Sequence, residues 1–387
     1  MPVLDVARPD FLAEEDIRIF EDAARKFFEE HASPEITARW RKNGVVDRDM
    51  WTKAGAAGLL CLSMPEEYGG MGGDYRHEVI LMERLGLQGV DGFGASLHNA
   101  IVAPYIYHYG TEDQRRRWLP RMATGELVAA IAMTEPGAGS DLQGIKTVAR
   151  RDGDDYVVSG SKTFITNGQT ANLIVVVCKT DPGQGARGTS LVVVETDGAA
   201  GFERGRNLDK LGQEAADTSE LFFNDVRVPA ENLLGGDEGQ GFFQLMNQLP
   251  QERLNIAVQG MASIERALEL TIDYVKQRQA FGKKVIDFQN TQFKLAECKT
   301  QATVARVFVN WAIGEHLEGR LDAAKASMAK YWVSDLENRI IDECLQLYGG
   351  FGYMDEYPIS RMFRDSRVQR IYGGTNEIMK VLIARTL

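Results

Sequence analysis

The chain has 387 residues, 44% of them hydrophobic, which is enough for one or more large cores and for two or three structural units. Its formal net charge of -11 argues against nucleic acid as a partner, because such a partner needs clustered lysine and arginine side chains. No run of about 18 apolar residues occurs, so no membrane span is expected. The N-terminal segment MPVLDVARPDFLAEEDIRIF is acidic and lacks an apolar signal core, which predicts a cytoplasmic protein.

The cysteines and histidines show no metal-binding or redox spacing. Four cysteines lie far apart without a CxxC pair, and five histidines without an HExxH pair, so neither a zinc site nor a disulfide framework is expected. The cysteines are instead predicted to be free and mostly buried thiols. They are Cys61, Cys178, Cys298 and Cys344.

Hydrophobic spacing divides the chain into three regions. From about residue 10 to 125, apolar residues recur every three or four positions and predict helices, which glycine clusters such as GGMGGD separate. From about 128 to 230, short runs of β-branched and aromatic residues alternate with turn-forming residues and predict a small, mostly antiparallel β domain. From about 240 the helical spacing returns over segments long enough for a bundle. We therefore predict an α+β fold with helices before and after a β domain.

Two strings in the middle region suit a flat, phosphate-bearing ligand. In MTEPGAGSD (133–141), the glycines and Ser140 would let backbone N–H groups approach a phosphate or a ring, although a tight turn with a serine cap is the plain alternative. In TFITNG (163–168), Phe164 and Thr166 stand two apart on a strand and so face the same side. An ordinary half-buried strand before an Asn-Gly turn is the alternative there.

Two further strings belong to the third region. In LPQERL, Glu252 and Arg253 are predicted to lie at the start or near a break of a long helix, just after Pro250. A carboxylate walled by apolar residues would be a proton acceptor, whereas a solvated surface charge is the alternative. In RIYGGTNEI, paired glycines open the last helix with Thr375 as its N-cap, and their amides would suit an oxyanion unless the string is only a helix start.

Taken together and in this order, the strings resemble the acyl-CoA dehydrogenase family over nearly the whole chain. The matching strings are PEEYGGMGG, MTEPGAGSDLQGIKT, TFITNG, KQRQAFGKKVIDFQ, LQLYGGFGY and IYGGTNEIMK. Each is weak alone, but six in one order are specific. The resemblance implies that family's fold: an N-terminal helical domain (1–127), a middle β-sheet or barrel domain (128–235) and a C-terminal four-helix bundle (236–387).

The resemblance also implies an FAD-dependent oxidoreductase that acts on an acyl-CoA. One side of the FAD would be lined, with Thr166 near the flavin N5, by Met133, Thr134, Gly139, Ser140, Phe164, Ile165 and Thr166. Positions that match a grip on the FAD of a neighbouring subunit are Arg278, Phe281, Gln289, Gln346, Gly349 and Gly350. The closing loop that also touches the cofactor would be Thr375, Asn376 and Glu377, and the substrate would contact Ser140, Arg253, Gly373 and Gly374. A dimer at least, and a homotetramer built as a dimer of dimers, is the implied assembly.

One departure from the family pattern decides the implied base. Many members carry the catalytic glutamate after the tyrosine of the closing motif, where this chain has Gly373. The long-chain and isovaleryl types place the base on the helix where Glu252 stands, and LPQERL with IYGGTNEIMK is most similar to the long-chain type. The resemblance thus implies that Glu252 removes the α-proton and that the backbone N–H of Gly373 holds the thioester oxygen. Arg253 would help to hold the CoA and keep Glu252 from becoming too readily neutral.

Three interpretations of the function follow. The first is α,β-dehydrogenation of a long-chain or branched acyl-CoA to the trans-2-enoyl-CoA, as in fatty acid β-oxidation, with electrons passed to an electron-transfer flavoprotein. The second is an acyl-CoA oxidase or a flavin monooxygenase on the same fold. The third is a non-catalytic acyl-CoA-binding or FAD-binding relative, which only Gly373 favours. Straight, methyl-branched and isoprenoid-like acyl chains all remain open at this stage.

Overall fold

The computed structural model describes residues 3–90 and 92–387. Its N-terminal part is helical, as the apolar spacing predicts. The helices are α1 (Asp10–Ala13), α2 (Glu15–His31), α3 (Pro34–Asn43), α4 (Arg48–Ala56), α5 (Tyr75–Gln88), α6 (Ala95–Leu97), α7 (Ala103–Tyr109) and α8 (Glu112–Ala123). A π-helical turn, His98–Val102, joins α6 to α7. Polar caps fix three of the starts, because Ser33 accepts the N–H of Ile36 before α3, Asp74 that of Arg76 before α5 and Thr111 that of Gln114 before α8.

The middle region forms one seven-stranded sheet. Its strands are β1 (Ala129–Ala132), β2 (Val148–Asp152), β3 (Asp155–Thr166), β4 (Leu173–Lys179), β5 (Thr189–Glu195), β6 (Phe202–Asn207) and β7 (Thr218–Pro229). The strand order is β1-β4-β2-β3-β7-β6, and β5 also pairs with β4. Only the β1–β4 and β2–β4 pairings are parallel, so the prediction of a mostly antiparallel β domain is confirmed.

Strand β4 explains how this sheet is covered on both faces. All seven of its residues are buried, and successive side chains point to opposite faces. Leu173, Val175 and Val177 enter a core that also contains helices α7 and α8. Ile174 and Val176 enter a second core with β3 and β7. A strand buried on both faces reads as a continuous apolar run, and the run LIVVV has that form.

The third region is helical again and contains the predicted bundle. Its elements are α9 (Gly241–Gln277), α10 (Gln289–Leu317), α11 (Ala323–Tyr348), α12 (Pro358–Ser366) and α13 (Asn376–Ala384), with a two-stranded ribbon of β8 (Gln279–Ala280) and β9 (Lys283–Lys284). One apolar core joins α2 and α5 to α9, α10 and α11. The first and third regions are therefore packed into one body around a shared core, and the division at residues 127 and 235 into separate domains stays a prediction.

The prediction that Glu252 lies at the start or a break of a helix is wrong. Helix α9 begins at Gly241 and runs through Pro250 to Gln277. Proline lacks an N–H and costs a helix about 3 kcal/mol. The helix continues because its buried stripe, which includes Leu245 and Met261, packs against the rest of the core, and this burial outweighs the lost hydrogen bond.

The four cysteines are buried and free, as predicted. Within residues 3–90 and 92–387, we find no helix whose length and hydropathy would let it cross a membrane.

Gly55 marks a close approach between α4 and the turn after α8. A Cβ added at Gly55 would stand 2.4 Å from the carbonyl oxygen of Thr124. We expect Gly55→Ala to lower the free energy of unfolding by about 1–3 kcal/mol, because two backbone segments must move apart. In the matched control Gly314→Ala, inside α10, the new Cβ meets Phe11 at an ordinary 3.6 Å, so we expect a gain of about 0.5–1 kcal/mol. Thermal unfolding compares the two variants, and equal melting temperatures would contradict the expectation.

Candidate active site

A cavity of about 600 Å³ lies where the three regions meet. Its walls come from the end of α5, the segment before α7, the loop after β1, the end of β3, α9, α11 and the segment that leads into α13. This volume is in the range of pockets that bind a cofactor or a drug-sized ligand. Of the residues predicted for substrate binding or catalysis, all five line the cavity: Ser140, Glu252, Arg253, Gly373 and Gly374.

Glu252 is a buried carboxyl on the cavity wall, with only 6% of its surface exposed. Its Oε1 accepts a hydrogen bond of 2.8 Å from the hydroxyl of Tyr105, which is fully buried on α7. Burial raises the pKa of Glu252 to about 7, while the Tyr105 hydrogen bond and the charge of Arg253 lower it. A carboxylate with such a pKa is a stronger base than a solvated one and is still available near neutral pH.

A contact between Arg253 and Gly373 joins helix α9, which carries this carboxyl, to the loop before α13. The Nε of Arg253 donates to the carbonyl oxygen of Gly373 at 3.4 Å. Gly373 has φ +66°, the left-handed region that favours glycine. A Cβ at this position would stand 2.4 Å from Cδ1 of Ile256, one turn beyond Glu252 on α9. The space that a side chain at position 373 would need is therefore occupied by the end of the Ile256 side chain.

A buried lysine on α11 binds the same loop on the side away from the cavity. Lys330 on α11 donates to the carbonyl oxygen of Gly374 at 2.8 Å and to Oδ1 of Asn376 at 2.9 Å. Burial lowers the pKa of Lys330 to about 8. The amide of Asn376 also donates to Asp335 at 2.9 Å. Lys330 thus fixes the backbone of the paired glycines through contacts outside the cavity.

The three residues of the closing loop that were predicted to touch a cofactor do not line the cavity. Asn376 is buried in the hydrogen bonds beneath the loop. Thr375 caps α13 by accepting the N–H of Ile378 at 3.4 Å, which confirms the predicted N-cap. Glu377 is exposed in the first turn of α13. Their proposed contact with a cofactor rests on the family resemblance alone.

All seven middle-region residues predicted to line an FAD do line the cavity: Met133, Thr134, Gly139, Ser140, Phe164, Ile165 and Thr166. Phe164 and Thr166 share the cavity side, although a β-bulge gives Phe164 a φ of +60°. The Phe164 side chain is 67% exposed within the chain. A strained aromatic residue held open to a cavity is suited to stacking on a flat ring.

The loop after β1 fits the phosphate and sugar part of a flavin cofactor. A Cβ at Gly139 would have no atom closer than 4.0 Å, so the backbone there is open to a ligand. The buried pair Glu135–Lys162, at 2.9 Å, supports this loop, and Lys162 also donates to the carbonyl oxygen of Met133 at 3.0 Å. Stacking, small residues and hydroxyl groups such as that of Ser140 thus meet in one cavity, and they fit FAD.

A second group of predicted cofactor residues lies on another part of the surface. Arg278, Gln346, Gly349 and Gly350 line one shallow groove, and none of them lines the cavity. Phe281 and Gln289 lie outside this groove; Phe281 is 96% exposed and has φ +50°. An exposed aromatic side chain in a strained turn is suited to a contact that the single chain does not supply.

The sequence did not reveal Tyr105 or Lys330. Both residues lie in helices, and the spacing of apolar residues around them gives no sign of a special role. No motif contains Tyr105, and its partner Glu252 is 147 residues away. The only usable signal was the string IYGGTNEIMK, whose buried Asn376 requires hydrogen-bond partners from another element.

Three family models match the chain. They describe the acyl-CoA dehydrogenase N-terminal domain over residues 14–126, the middle domain over 130–226 and the C-terminal domain over 239–387. The chain belongs to the acyl-CoA dehydrogenase family. It is accordingly an FAD-dependent oxidoreductase that acts on a CH–CH bond.

Relatives and solved structures place it within this family. The mouse protein named long-chain specific acyl-CoA dehydrogenase, mitochondrial, is 51% identical over 97% of this chain and 87% of its own. The Acetobacterium woodii caffeyl-CoA reductase-Etf complex subunit CarC is 35% identical over 96% and 98%. An acyl-CoA dehydrogenase structure from Geobacillus kaustophilus has a TM-score of 0.94 at 51% identity over 96% and 98%. A Mycobacterium smegmatis glutaryl-CoA dehydrogenase in complex with FADH2 has a TM-score of 0.91 at 28% identity over 100% and 97%.

The Tyr105 hydrogen bond gives a testable pH dependence. In Tyr105→Phe the ionised Glu252 loses a donor, so its pKa should rise further above about 7. If Glu252 is the base, it acts only when ionised, so the rate of flavin reduction by acyl-CoA should reach half its maximum at a pH roughly one to two units higher than in the unsubstituted enzyme. Stopped-flow pH profiles of flavin bleaching measure this midpoint.

Tyr68→Phe is the matched control for this experiment. It removes a tyrosine–glutamate hydrogen bond of the same 2.8 Å, to Glu112, away from the cavity. Its profile should be unchanged. A midpoint for Tyr105→Phe that stays in place or moves to lower pH would rule out control of Glu252 by Tyr105.

Proposed function

We propose that this enzyme removes hydrogen from the α and β carbons of a long-chain or branched acyl-CoA, with Glu252 as the base. The observation that carries the proposal is the buried Glu252 carboxyl, with a pKa near 7, on the cavity wall beside the Gly373 loop. The other carboxyl groups of the lining are Glu337 on α11, Asp365 on α12 and Asp141, which is exposed in the loop after β1. Glu252 alone adjoins Arg253, which contacts Gly373.

The proposed reaction uses the chain's groups in a fixed order. The thioester oxygen lies against the backbone N–H of Gly373, which stabilises the negative charge that develops there when the α-proton leaves. Glu252 takes that proton, and Tyr105 holds the carboxylate in its orientation. Bound FAD supplies the acceptor for the hydride that leaves the β-carbon. The apolar walls exclude water, which strengthens both electrostatic contacts.

The preference for a long acyl chain is supported by the shape of the cavity. Helix α9 lines it from Glu252 through Ile256 and Gln259 to Ser263. These eleven residue steps span about 16 Å at the 1.5 Å rise of an α-helix. Apolar side chains from α5 and the segment after it, Met82, Leu85, Val90 and Phe93, also line the cavity. The mouse relative's name also refers to long-chain substrates.

We further propose an electron-transfer flavoprotein as the electron acceptor, in a cytoplasmic enzyme. The name of the Acetobacterium woodii relative refers to a complex with such a flavoprotein, which supports the acceptor. The bacterial source of this relative supports a cytoplasmic location, whereas the mouse relative is named as mitochondrial.

A homotetramer, built as a dimer of dimers, is the proposed assembly. Helix α10 carries an exposed apolar stripe at helical spacing, consisting of Val304, Val307 and Trp311. Trp332 on α11 is also 39% exposed. An apolar stripe of this kind suits contact with another subunit. The groove of Arg278 would then complete the FAD site of a neighbour.

Replacing the base tests the proposed reaction. In Glu252→Gln, we expect flavin bleaching by acyl-CoA to slow by about 10²–10⁴-fold, the usual contribution of a general base. The FAD content should be unchanged. Glu78→Gln is the control, because Glu78 is also a fully buried carboxyl with a pKa near 7 but lies outside the cavity lining. Bleaching at a near wild-type rate in Glu252→Gln would exclude Glu252 as the base.

Thermal unfolding separates this loss from misfolding. The pKa of Glu252 is raised in the folded protein, so the stabilisation from its neutral form is full below its unfolded value and is lost as pH rises through about 7. Glutamine stays neutral. Glu252→Gln should therefore melt at a higher temperature than the unsubstituted enzyme above about pH 7, by a margin that shrinks as pH falls.

Arg278 tests the proposed sharing of FAD between subunits. Arg278→Ala should lose FAD on gel filtration although it lies outside the cavity, while Arg25→Ala, an exposed arginine on α2, should keep it. Subunits of Arg278→Ala and Glu252→Gln are then mixed under dissociating conditions and reassembled. If Arg278 acts on the neighbour's FAD, mixed assemblies regain bleaching because one site has both wild-type residues. Mixtures no more active than the two parents would contradict a shared site.

A further inference from the structure

The far part of the cavity contains a buried carboxyl that the proposed reaction does not use. Glu337 on α11 lines the cavity and is 1% exposed. Its Oε2 receives no hydrogen bond from any described residue of the chain. This atom lies 3.3 Å from the point where a Cβ on Gly260 would stand, so the glycine on α9 leaves room for it. Gly260 is eight residues beyond Glu252, or about 12 Å along the helix.

The surroundings of Glu337 determine which chemistry it can offer. Burial raises the pKa of Glu337 to about 8, the hydroxyl of Ser263 lowers it, and the charge of Asp365 raises it. The carboxyl is therefore mainly neutral near pH 7. A neutral carboxyl both donates and accepts a hydrogen bond, so it matches a hydroxyl group and has no net charge with which to hold an ion.

Other polar groups share this part of the lining. Ser263, Gln213, Gln369 and Tyr372 are all cavity residues, and the hydroxyl of Tyr372 donates to Oε1 of Gln369 at 2.8 Å. A hydrocarbon chain offers such groups no hydrogen bond, and buried polar atoms without partners oppose folding. The apolar residues Met82, Leu85 and Val90 also line the cavity, from α5 and the segment after it.

We propose that Glu337 binds a neutral polar substituent, such as a hydroxyl group, on the distal part of the acyl chain, and that the enzyme selects oxygenated long-chain acyl-CoA over plain chains. This inference rests on the proposed function and refines its substrate class. With a plain chain, Oε2 of Glu337 stays without a partner, whereas a hydroxyl supplies one. A site built to hydrogen-bond a hydroxyl discriminates against the analogue that lacks it.

Matched substrate pairs test the proposal on the unsubstituted holoenzyme. The pairs are dodecanoyl-CoA with ω-hydroxydodecanoyl-CoA, and hexadecanoyl-CoA with ω-hydroxyhexadecanoyl-CoA. For the pair whose hydroxyl reaches Glu337, we expect kcat/KM to favour the hydroxylated member by about tenfold, the effect of one hydrogen bond to a buried group. Equal or lower kcat/KM for both hydroxylated substrates would overturn the proposal.

Two substitutions assign the preference to Glu337. Glu337→Leu should abolish it or reverse it in favour of the plain chain, while Glu337→Gln, which keeps a donor and an acceptor, should retain most of it. Glu78→Gln, at a buried carboxyl that also has an unpartnered Oε2 but lies outside the cavity, should retain it fully. A preference that survives unchanged in Glu337→Leu would overturn the assignment.

FAD content and product binding provide readouts that do not depend on turnover. Calorimetric titration of the oxidised holoenzyme with the two enoyl-CoA products should show the same tenfold ratio in Kd. Loss of FAD from Glu337→Leu, with no change in the substrate ratio, would overturn the proposal in favour of a cofactor contact. If no acyl-CoA of either kind bleaches the flavin, the proposed function itself fails; bleaching by both kinds without preference refutes only the role of Glu337.

Discussion

The active site depends on a carboxyl group held in a dry position in the middle of a long, uninterrupted helix. Glu252 has one hydrogen-bonding neighbour, Tyr105, and one charged neighbour in sequence, Arg253. Burial alone would favour the neutral acid, and these two neighbours limit that effect. The carboxyl is consequently poised near neutrality. The rest of the site must then bring a substrate to a helix that cannot move without disturbing the core of the bundle.

Where many family members carry a glutamate in the closing loop, this chain has Gly373, and the space beside this glycine is filled. Ile256 fills the space beside Gly373, at 2.4 Å from an added Cβ, and it is one turn from Glu252 on the same helix. A side chain at position 373 would therefore have to displace the end of the Ile256 side chain. Glycine there keeps the amide available, and its positive φ is a conformation that other residues adopt only with strain.

Buried lysines give the two glycine-containing loops of the site their fixed shape. Lys162 lies under the loop after β1, where it binds the carbonyl oxygen of Met133 and pairs with Glu135, and Lys330 lies under Gly374. Both side chains are at most 1% exposed. Glycine-rich segments lose much entropy on ordering, and charged donors to their backbone carbonyls compensate for it. The two lysines therefore hold the cavity wall in place at its glycine-containing loops, where the backbone alone would be most free to move.

Much of this architecture could be predicted from the sequence, because hydrophobic spacing and ordered motifs are local signals. The three regions, the N-cap at Thr375 and the shared side of Phe164 and Thr166 needed only such signals. Pro250 misled the prediction, since the packing of α9 that overrides a proline is not a local property. Tyr105 and Lys330 were invisible for the same reason: each meets its partner only after folding, across 147 and 44 residues of chain.

Helix α9 also connects chemistry with selectivity. It carries the proposed base Glu252, the Ile256 side chain beside Gly373, and Gly260 and Ser263 near Glu337, all on one element. A thioester bound at Gly373, as proposed, would have its distal carbons placed at fixed distances along the helix, at about 1.5 Å per residue. Selection of the far end of a chain then requires no moving part. In this proposal, the helix that carries Glu252 also determines whether the end of the acyl chain meets an apolar or a polar group.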